Sequence, residues 1–201
     1  PLQNVSRDEI VGAICEAAPK EGLSMFDFND DVQNLQRRIG AASAWAPELG
    51  LPDCTTGNVM GNASGWLPLH AGTASTVSEL KKIDMGNVIW NMLSWEQQKE
   101  VERLAPSHIE VPTGSRIRVE YRAGTDAPVL RVRLQECFGM KETPRVNGGK
   151  VPVVMELLSP GFKPVQLTSD LENFWKETYF EVRKELRMRY PKHSWPEDPL
   201  E

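Results

Sequence analysis

The side chains of this 201-residue sequence that are best suited to chemistry are the basic ones concentrated between Gly114 and Lys150. That stretch holds eight Lys or Arg against four Asp or Glu, a net charge of +4. Such a stripe predicts a surface that attracts phosphate groups. The arginines also alternate with apolar residues, as they do on any solvated strand face. For each arginine taken alone, a solvated surface residue is a better interpretation than a phosphate contact. With one lysine from the C-terminal tail, the candidate nucleic-acid contacts are Arg116, Arg118, Arg131, Arg133, Lys150 and Lys192.

Aromatic and proline residues crowd the last segment, 190–199, which reads Tyr-Pro-Lys-His-Ser-Trp-Pro-Glu-Asp-Pro. A disordered tail is normally poor in aromatic residues, so this segment is predicted to fold back on the domain. We favour a sealing role. The alternative is that Tyr190, His193 and Trp195 stack on single-stranded bases while Lys192 contacts phosphate. Trp95, Phe174 and Trp175 lie at helix-face spacing and are predicted to be core residues.

Signatures of catalysis and metal binding are missing from the sequence. His70, His108 and His193 are scattered, and three widely spaced cysteines, an odd number, suit neither a disulfide framework nor a zinc site. Cys15, Cys54 and Cys137 are each interpreted as buried structural thiols. The run 147–150, Asn-Gly-Gly-Lys, lacks the spacing of a phosphate-binding loop and predicts a hairpin turn instead. We therefore assign no catalytic residue, metal or cofactor to this chain.

Composition indicates a soluble globular protein. The chain is 40% hydrophobic and 25% charged, and its apolar runs are far shorter than a membrane span. We expect a cytoplasmic protein with no membrane partner. Pro1 in place of an initiator methionine leads us to expect that the chain was processed or belongs to a longer protein.

The first half is predicted to be helical. Ser6 to Glu9 fits a capping box for a helix that ends at Pro19, and Asp30–Trp45 has apolar residues at three- and four-residue spacing. The Gly-, Asn- and Pro-rich stretch 50–72 is predicted to be a loop with one short helix near 58–67. Ser94 opens a further helix that ends before Pro106. This half is acidic, with a net charge of −6 over residues 1–105.

The second half alternates between apolar and polar residues, which is typical of strands. Predicted elements are strands near 108–111 and 116–121, a short element from Ala127, a helical turn at 132–138, a buried strand at 150–158 and a hairpin at 159–162. A capping box from Ser169 opens a helix to Tyr190. The fold class is therefore α+β: a helical subdomain, 1–105, followed by 106–201, a small, mostly antiparallel sheet covered by a long C-terminal helix.

An ordered set of segments resembles the C-terminal region of bacterial HrpB-type ATP-dependent helicases, of the DEAH-box class in superfamily 2. The matching segments are 111–117, 132–139, 149–152, 157–160, 170–176 and 190–196, and the terminal Tyr-Pro-Lys-His-Ser-Trp-Pro block is the most specific of them. The similarity is densest from Trp90 to Pro199. It continues more weakly upstream at 35–38 and 66–67.

The resemblance implies a much longer parent protein with motor domains that bind ATP and Mg²⁺ upstream of Pro1. This chain would then be an accessory region that supports the motor domains and adds a basic surface to the path of single-stranded RNA or DNA. The alternative, which the acidic helical half favours, is a docking or scaffold module that does not touch nucleic acid. The third alternative is an autonomous hydrolase.

Overall fold

The computed structural model describes residues 5–124 and 126–201, in two compact units, Pro1–Glu100 and Val101–Glu201. The interpretation of Pro1 lies outside the described residues, and the predicted boundary at Ala105 stays a prediction. Among the described residues, no helix has both the length and the apolarity that a bilayer crossing needs.

The first unit is helical, as predicted. Its helices are α1 (Arg7–Met25), α2 (Asp30–Trp45), α3 (Thr56–Gly61), α4 (Ala63–His70), α5 (Val77–Leu80) and α6 (Met85–Trp90), and α7 (Trp95–Leu104) extends across the division between the units. The bounds of α2 are those predicted. The caps of α1 and α7 are also confirmed, because Ser6 Oγ accepts from the Glu9 amide and Ser94 Oγ from the Gln97 amide.

Two helix predictions in this unit are wrong. α1 does not end at Pro19 but continues to Met25. Its last turns are held by burial, since Gly22 packs so closely on Met60 that a Cβ at this position would overlap the Met60 sulfur. The glycine-rich stretch forms two helices, α3 and α4, where one was expected. Trp66 joins them by donating its indole N–H to the Val59 carbonyl at 2.9 Å.

The second unit is built on a five-stranded sheet. Its strands are β1 (His108–Glu110), β2 (Arg116–Glu120), β3 (Val129–Arg133), β6 (Val154–Leu158) and β7 (Pro164–Thr168), in the order β1-β2-β3-β6-β7, and a separate hairpin holds β4 (Arg145–Val146) and β5 (Val151–Pro152). Only the β3–β6 pair is parallel among these described strands. The sheet is therefore mostly antiparallel, as predicted.

One sheet face forms the core. Its side chains are at most 2% exposed: Val119, Leu130, Val132, Met155 and Leu157. The predicted turn at 147–150 is confirmed, with Asn147 at φ 54°. The predicted strand 150–158 is instead two strands, β5 and β6, which belong to different sheets. The predicted helical turn at 132–138 is also shorter, because β3 runs to Arg133 and only Leu134–Cys137 is 3-10 helix.

A long C-terminal helix follows the sheet, as predicted. It comprises α8 (Leu171–Asn173), a π-helical segment (Phe174–Thr178) and α9 (Tyr179–Arg189). The predicted cap is wrong by one residue, since Asp170 and not Ser169 accepts from the Asn173 amide. Leu171, Phe174, Trp175, Tyr179 and Leu186 are buried.

Candidate nucleic-acid interface

Strand pairing brings four of the candidate arginines to one face of the sheet. Glu120 of β2 pairs with Val129 of antiparallel β3, and directly paired residues point to the same side. Because side chains alternate along a strand, the Glu120 side carries Arg116 and Arg118, and the Val129 side carries Arg131 and Arg133. The predicted polar face is therefore a shared arginine face, opposite the buried core residues.

Carboxylates partly neutralise this arginine face. Arg131 is paired with Glu156 of β6, and its Nε lies 2.8 Å from Glu156 Oε2. The Nε of Arg133 lies 3.7 Å from Glu136 Oε2, and this carboxylate also accepts from the Thr113 hydroxyl. The side chains of Arg131 and Arg133 are still 48% and 38% exposed, so both cations remain accessible to a ligand.

One end of the arginine face is continuous with the C-terminal tail. β2 begins there and β3 and β6 end there, so Arg116, Arg133 and the β6–β7 turn belong to the same end of the sheet. We call the exposed and half-buried residues at this end the sheet-end surface: Arg116, Arg133, Gln135, Phe162, Tyr190, Lys192 and His193.

Two contacts hold the tail at the sheet-end surface. The Nδ1 atom of His193 accepts from the Gln135 amide, at 2.9 Å, two residues beyond the end of β3. The Tyr190 hydroxyl lies 3.4 Å from Ser159 Oγ in the β6–β7 turn. The Tyr190 and His193 rings meet edge to face with centroids 6.1 Å apart, and Lys192 between them is exposed. Tyr190 and His193 thus lie beside the β6–β7 turn and the residues that follow β3.

Trp195, by contrast, faces the interior of the second unit. It is 6% exposed, donates its indole N–H to the Tyr190 carbonyl at 2.9 Å, and meets Phe138 edge to face at 6.5 Å. Arg183 donates to the Trp195 carbonyl at 2.8 Å. This geometry supports the sealing role and leaves Tyr190 and His193 as the more accessible rings for stacking.

Lys150 lies away from the sheet-end surface. It is exposed at the end of the 147–150 turn. β5 follows that turn and is joined through Val153 to the first residue of β6, Val154, whose amide donates to the Pro128 carbonyl. This is the end of the sheet at which β3 and β6 begin. A five-residue strand separates the two ends by about 13 Å at ~3.3 Å per residue.

Sequence reasoning missed the exposure of two aromatic residues. Trp95 was expected in the core but is 66% exposed, with Lys99 Nζ 4.2 Å from its ring centroid. Phe162 was treated only as part of a hairpin turn and is 63% exposed, with the Arg133 guanidinium 5.2 Å from its ring centroid. The signal that could have identified Phe162 is a large apolar residue within the Ser-Pro-Gly-Phe-Lys turn.

The cysteines do not resemble reactive thiols. Cys54 and Cys137 are buried, as expected, and burial raises the pKa of these thiols to about 11 and about 12. Cys15 was expected to be buried but is half-buried, and desolvation also raises its pKa. These thiols are therefore protonated and poorly nucleophilic at neutral pH. In the described part of the chain, no group of three or more His, Cys, Asp or Glu could hold a metal ion.

Comparisons with known proteins give one consistent result. A family model described as ATP-dependent helicase C-terminal matches residues 66–199. The chain is 38% identical over 199 residues to a protein of Escherichia coli strain K12 named ATP-dependent RNA helicase HrpB, which covers 99% of this chain and 24% of that protein.

Solved structures agree with the sequence match. A crystal structure titled E. coli DExH-box NTPase HrpB matches with a TM-score of 0.88 at 38% identity, over 100% of this chain and 25% of the other. A second, titled Escherichia coli DEAH/RHA helicase HrpB, matches with a TM-score of 0.78 at 36% identity, over 97% of this chain and 24% of the other. The chain thus spans about a quarter of the relatives that it matches.

Proposed function

Since the chain belongs to the HrpB family of ATP-dependent helicases, as a C-terminal region, we propose that it supplies a basic contact surface for single-stranded RNA or DNA. The contacts would be made by the arginine face and the sheet-end surface. The relative in E. coli is named an RNA helicase, which favours RNA as the natural ligand.

The observation that carries this proposal is the strand register, which gathers Arg116, Arg118, Arg131 and Arg133 on one face. Phosphate contacts supply most of the affinity of sequence-independent nucleic-acid binding. The exposed Lys192 extends the basic side chains along the tail, beside the rings of Tyr190 and His193. Lys150 lies at the other end of the sheet. It would contact phosphate only if the bound nucleic-acid strand ran along the whole length of the sheet.

The test is binding of a fluorescently labelled oligouridine of about 12 nucleotides, measured by anisotropy at about 50 and 200 mM salt. Arg116→Glu is expected to weaken binding and to reduce the slope of log K against log salt by about 0.7 for the lost phosphate contact. Lys82→Glu makes the same charge change on an exposed residue of the first unit and should have little effect.

Two results would contradict the proposal. The first is the absence of salt-sensitive binding by the 201-residue chain. The second is an equal loss of affinity in Arg116→Glu and Lys82→Glu, because that would reflect net charge alone and not a local surface.

We also propose that the chain supports the motor domains of its parent protein, where ATP and Mg²⁺ would bind, in the cytoplasm. α9 favours such docking because it exposes two large apolar side chains on one side, Phe180 at 51% and Met188 at 79%. Replacing both with serine is expected to weaken co-purification with the separately expressed motor domains after nuclease treatment. Unchanged co-purification would count against docking through α9.

A further inference from the structure

The feature that leads furthest is Phe162, which is displayed to solvent by a tightly bonded turn. The Phe162 amide donates to the Ser159 carbonyl at 2.9 Å, and the Ser159 amide donates to the Lys163 carbonyl at 2.8 Å. Ser159 Oγ also accepts from the Lys163 amide at 3.1 Å. The ring at the tip of this turn is nevertheless 63% exposed.

The backbone of Phe162 is strained as well as fixed. Its φ of 63° lies in the left-handed region, which a bulky side chain rarely adopts. An asparagine or glycine would satisfy this turn at lower cost. A strained residue that gains nothing from burial suggests that its exposed ring has a use.

The surroundings of the ring are basic. The Arg133 guanidinium lies 5.2 Å from the ring centroid, Lys163 follows directly in sequence, and Lys192 projects from the nearby tail. Gly161 brings the turn against that tail, since a Cβ at this position would lie 3.0 Å from the Tyr190 hydroxyl oxygen. An open aromatic ring beside several cations is the arrangement by which proteins hold a base and its phosphates together.

We propose that Phe162 is a base-stacking residue that selects unpaired nucleotides, with Arg133 as the cation that orients its ring. This inference rests on the proposed nucleic-acid contact and names the residue that distinguishes a single strand from a duplex. Bases in a duplex already stack on one another, so only an unpaired base can offer its face to Phe162. The arginine and lysine neighbours favour a nucleic acid over an apolar protein surface as the occupant.

The experiment uses the 201-residue chain and an oligouridine with a single 2-aminopurine, whose fluorescence is quenched when the base stacks. Phe162→Leu keeps an apolar side chain and the same backbone conformation but removes the ring, whereas Phe162→Tyr keeps the ring. Loss of one stacked base is expected to weaken single-strand binding by roughly 5- to 100-fold. Phe162→Leu should also abolish the quenching, and Phe162→Tyr should retain both properties.

Matched controls separate stacking from general effects. Trp95→Leu removes another exposed aromatic ring that contacts a cation, in the first unit, and should alter neither affinity nor quenching. A fully paired duplex of the same length should bind the Phe162→Leu variant as well as it binds the original chain. Phe162→Leu should have a urea midpoint only slightly lower than that of the original chain, because the ring is exposed and the substitution removes only its contact with Arg133.

The outcomes distinguish this inference from the function on which it rests. If Arg116→Glu weakens salt-sensitive binding while Phe162→Leu binds and quenches normally, stacking by Phe162 is refuted and the basic surface stands. If no salt-sensitive binding occurs, both the basic contact surface and stacking by Phe162 are refuted. If Phe162→Leu no longer co-purifies with the motor domains but binds the single strand normally, the ring is a protein contact and the inference is overturned.

Discussion

Replacing Trp195 with alanine is expected to destabilise the unit Val101–Glu201 by about 4 kcal/mol, if the tail seals that unit. The indole is 6% exposed, and burial of about 200 Å² of aromatic surface at ~25 cal/mol per Å² sets an upper value of about 5 kcal/mol. Residual structure in the unfolded chain lowers this burial contribution to about 3 kcal/mol. Loss of the bond to the Tyr190 carbonyl adds about 1 kcal/mol, which gives the total of about 4 kcal/mol. Truncations of buried tryptophan generally cost about 3 to 5 kcal/mol.

Urea denaturation followed by circular dichroism would measure this cost, and hydrogen exchange would locate it. Exchange should accelerate in the segments 134–140 and 171–189, which contact the tail through Gly139, Tyr179 and Arg183. Trp95→Ala is the matched control, because it removes an exposed indole whose contact with Lys99 contributes about 0.5 to 1 kcal/mol. A cost for Trp195→Ala no larger than that of Trp95→Ala would refute the sealing role.

Two further predictions concern the second unit. Phe162→Gly should have a free energy of unfolding about 0.5 to 1 kcal/mol higher than that of Phe162→Ala. Both variants lose the contact of the ring with Arg133, and only glycine releases the left-handed strain, which exceeds the entropic cost of glycine; an equal or lower urea midpoint would contradict this. Burial raises the pKa of Cys137 to about 12 in the folded chain, whereas the pKa of the same thiol in the unfolded chain is about 9. As the pH rises, the thiol therefore ionises in the unfolded chain before it ionises in the folded chain. Its contribution to stability is complete below about pH 9 and is lost as the pH rises towards 12. Cys137→Ala should therefore show a shallower decline in urea midpoint above pH 9, and an unchanged decline would show that the thiol ionises equally in both states.

Several helices could be predicted because their signals are local. α2 begins after the Asn29 cap, whose side chain accepts from the Val32 amide at 3.0 Å, and it ends before Pro47. α7 likewise carries a reciprocal capping box between Ser94 and Gln97. In both helices the residues that fix the start lie within one turn of it, so the sequence contains the whole signal.

The missed elements depend on contacts distant in sequence. Ser169 and Asp170 are both competent caps, and the choice between them is made by Thr143, whose hydroxyl donates to the Ser169 carbonyl and accepts from the Leu171 amide. The division of 150–158 into β5 and β6 has a similar origin, since β5 pairs with β4 and β6 pairs with the more distant β3. Local pattern does not encode these partners.

The candidate site was predictable in part for the same reason. Alternation alone places Arg116 and Arg118 on one side of β2, but only the register shows that Arg131 and Arg133 join them and that Glu156 pairs with Arg131. Exposure is harder to predict, because Trp95 and Trp175 have similar helical settings. Trp175 is buried and donates to the Met140 carbonyl at 2.8 Å, whereas Trp95 is exposed.

The sealing role and the proposed contact surface share the same tail. Trp195 anchors the segment whose Tyr190 and His193 reach Ser159 and Gln135, so release of the indole should also loosen those two contacts. Trp195→Ala would then weaken single-strand binding together with stability, although the indole faces inward. Phe162→Leu would weaken binding but change stability by at most about 1 kcal/mol, since its exposed ring contacts Arg133 and not the core. Comparing both effects in the two variants therefore separates a residue that contacts the ligand from one that holds the surface in place.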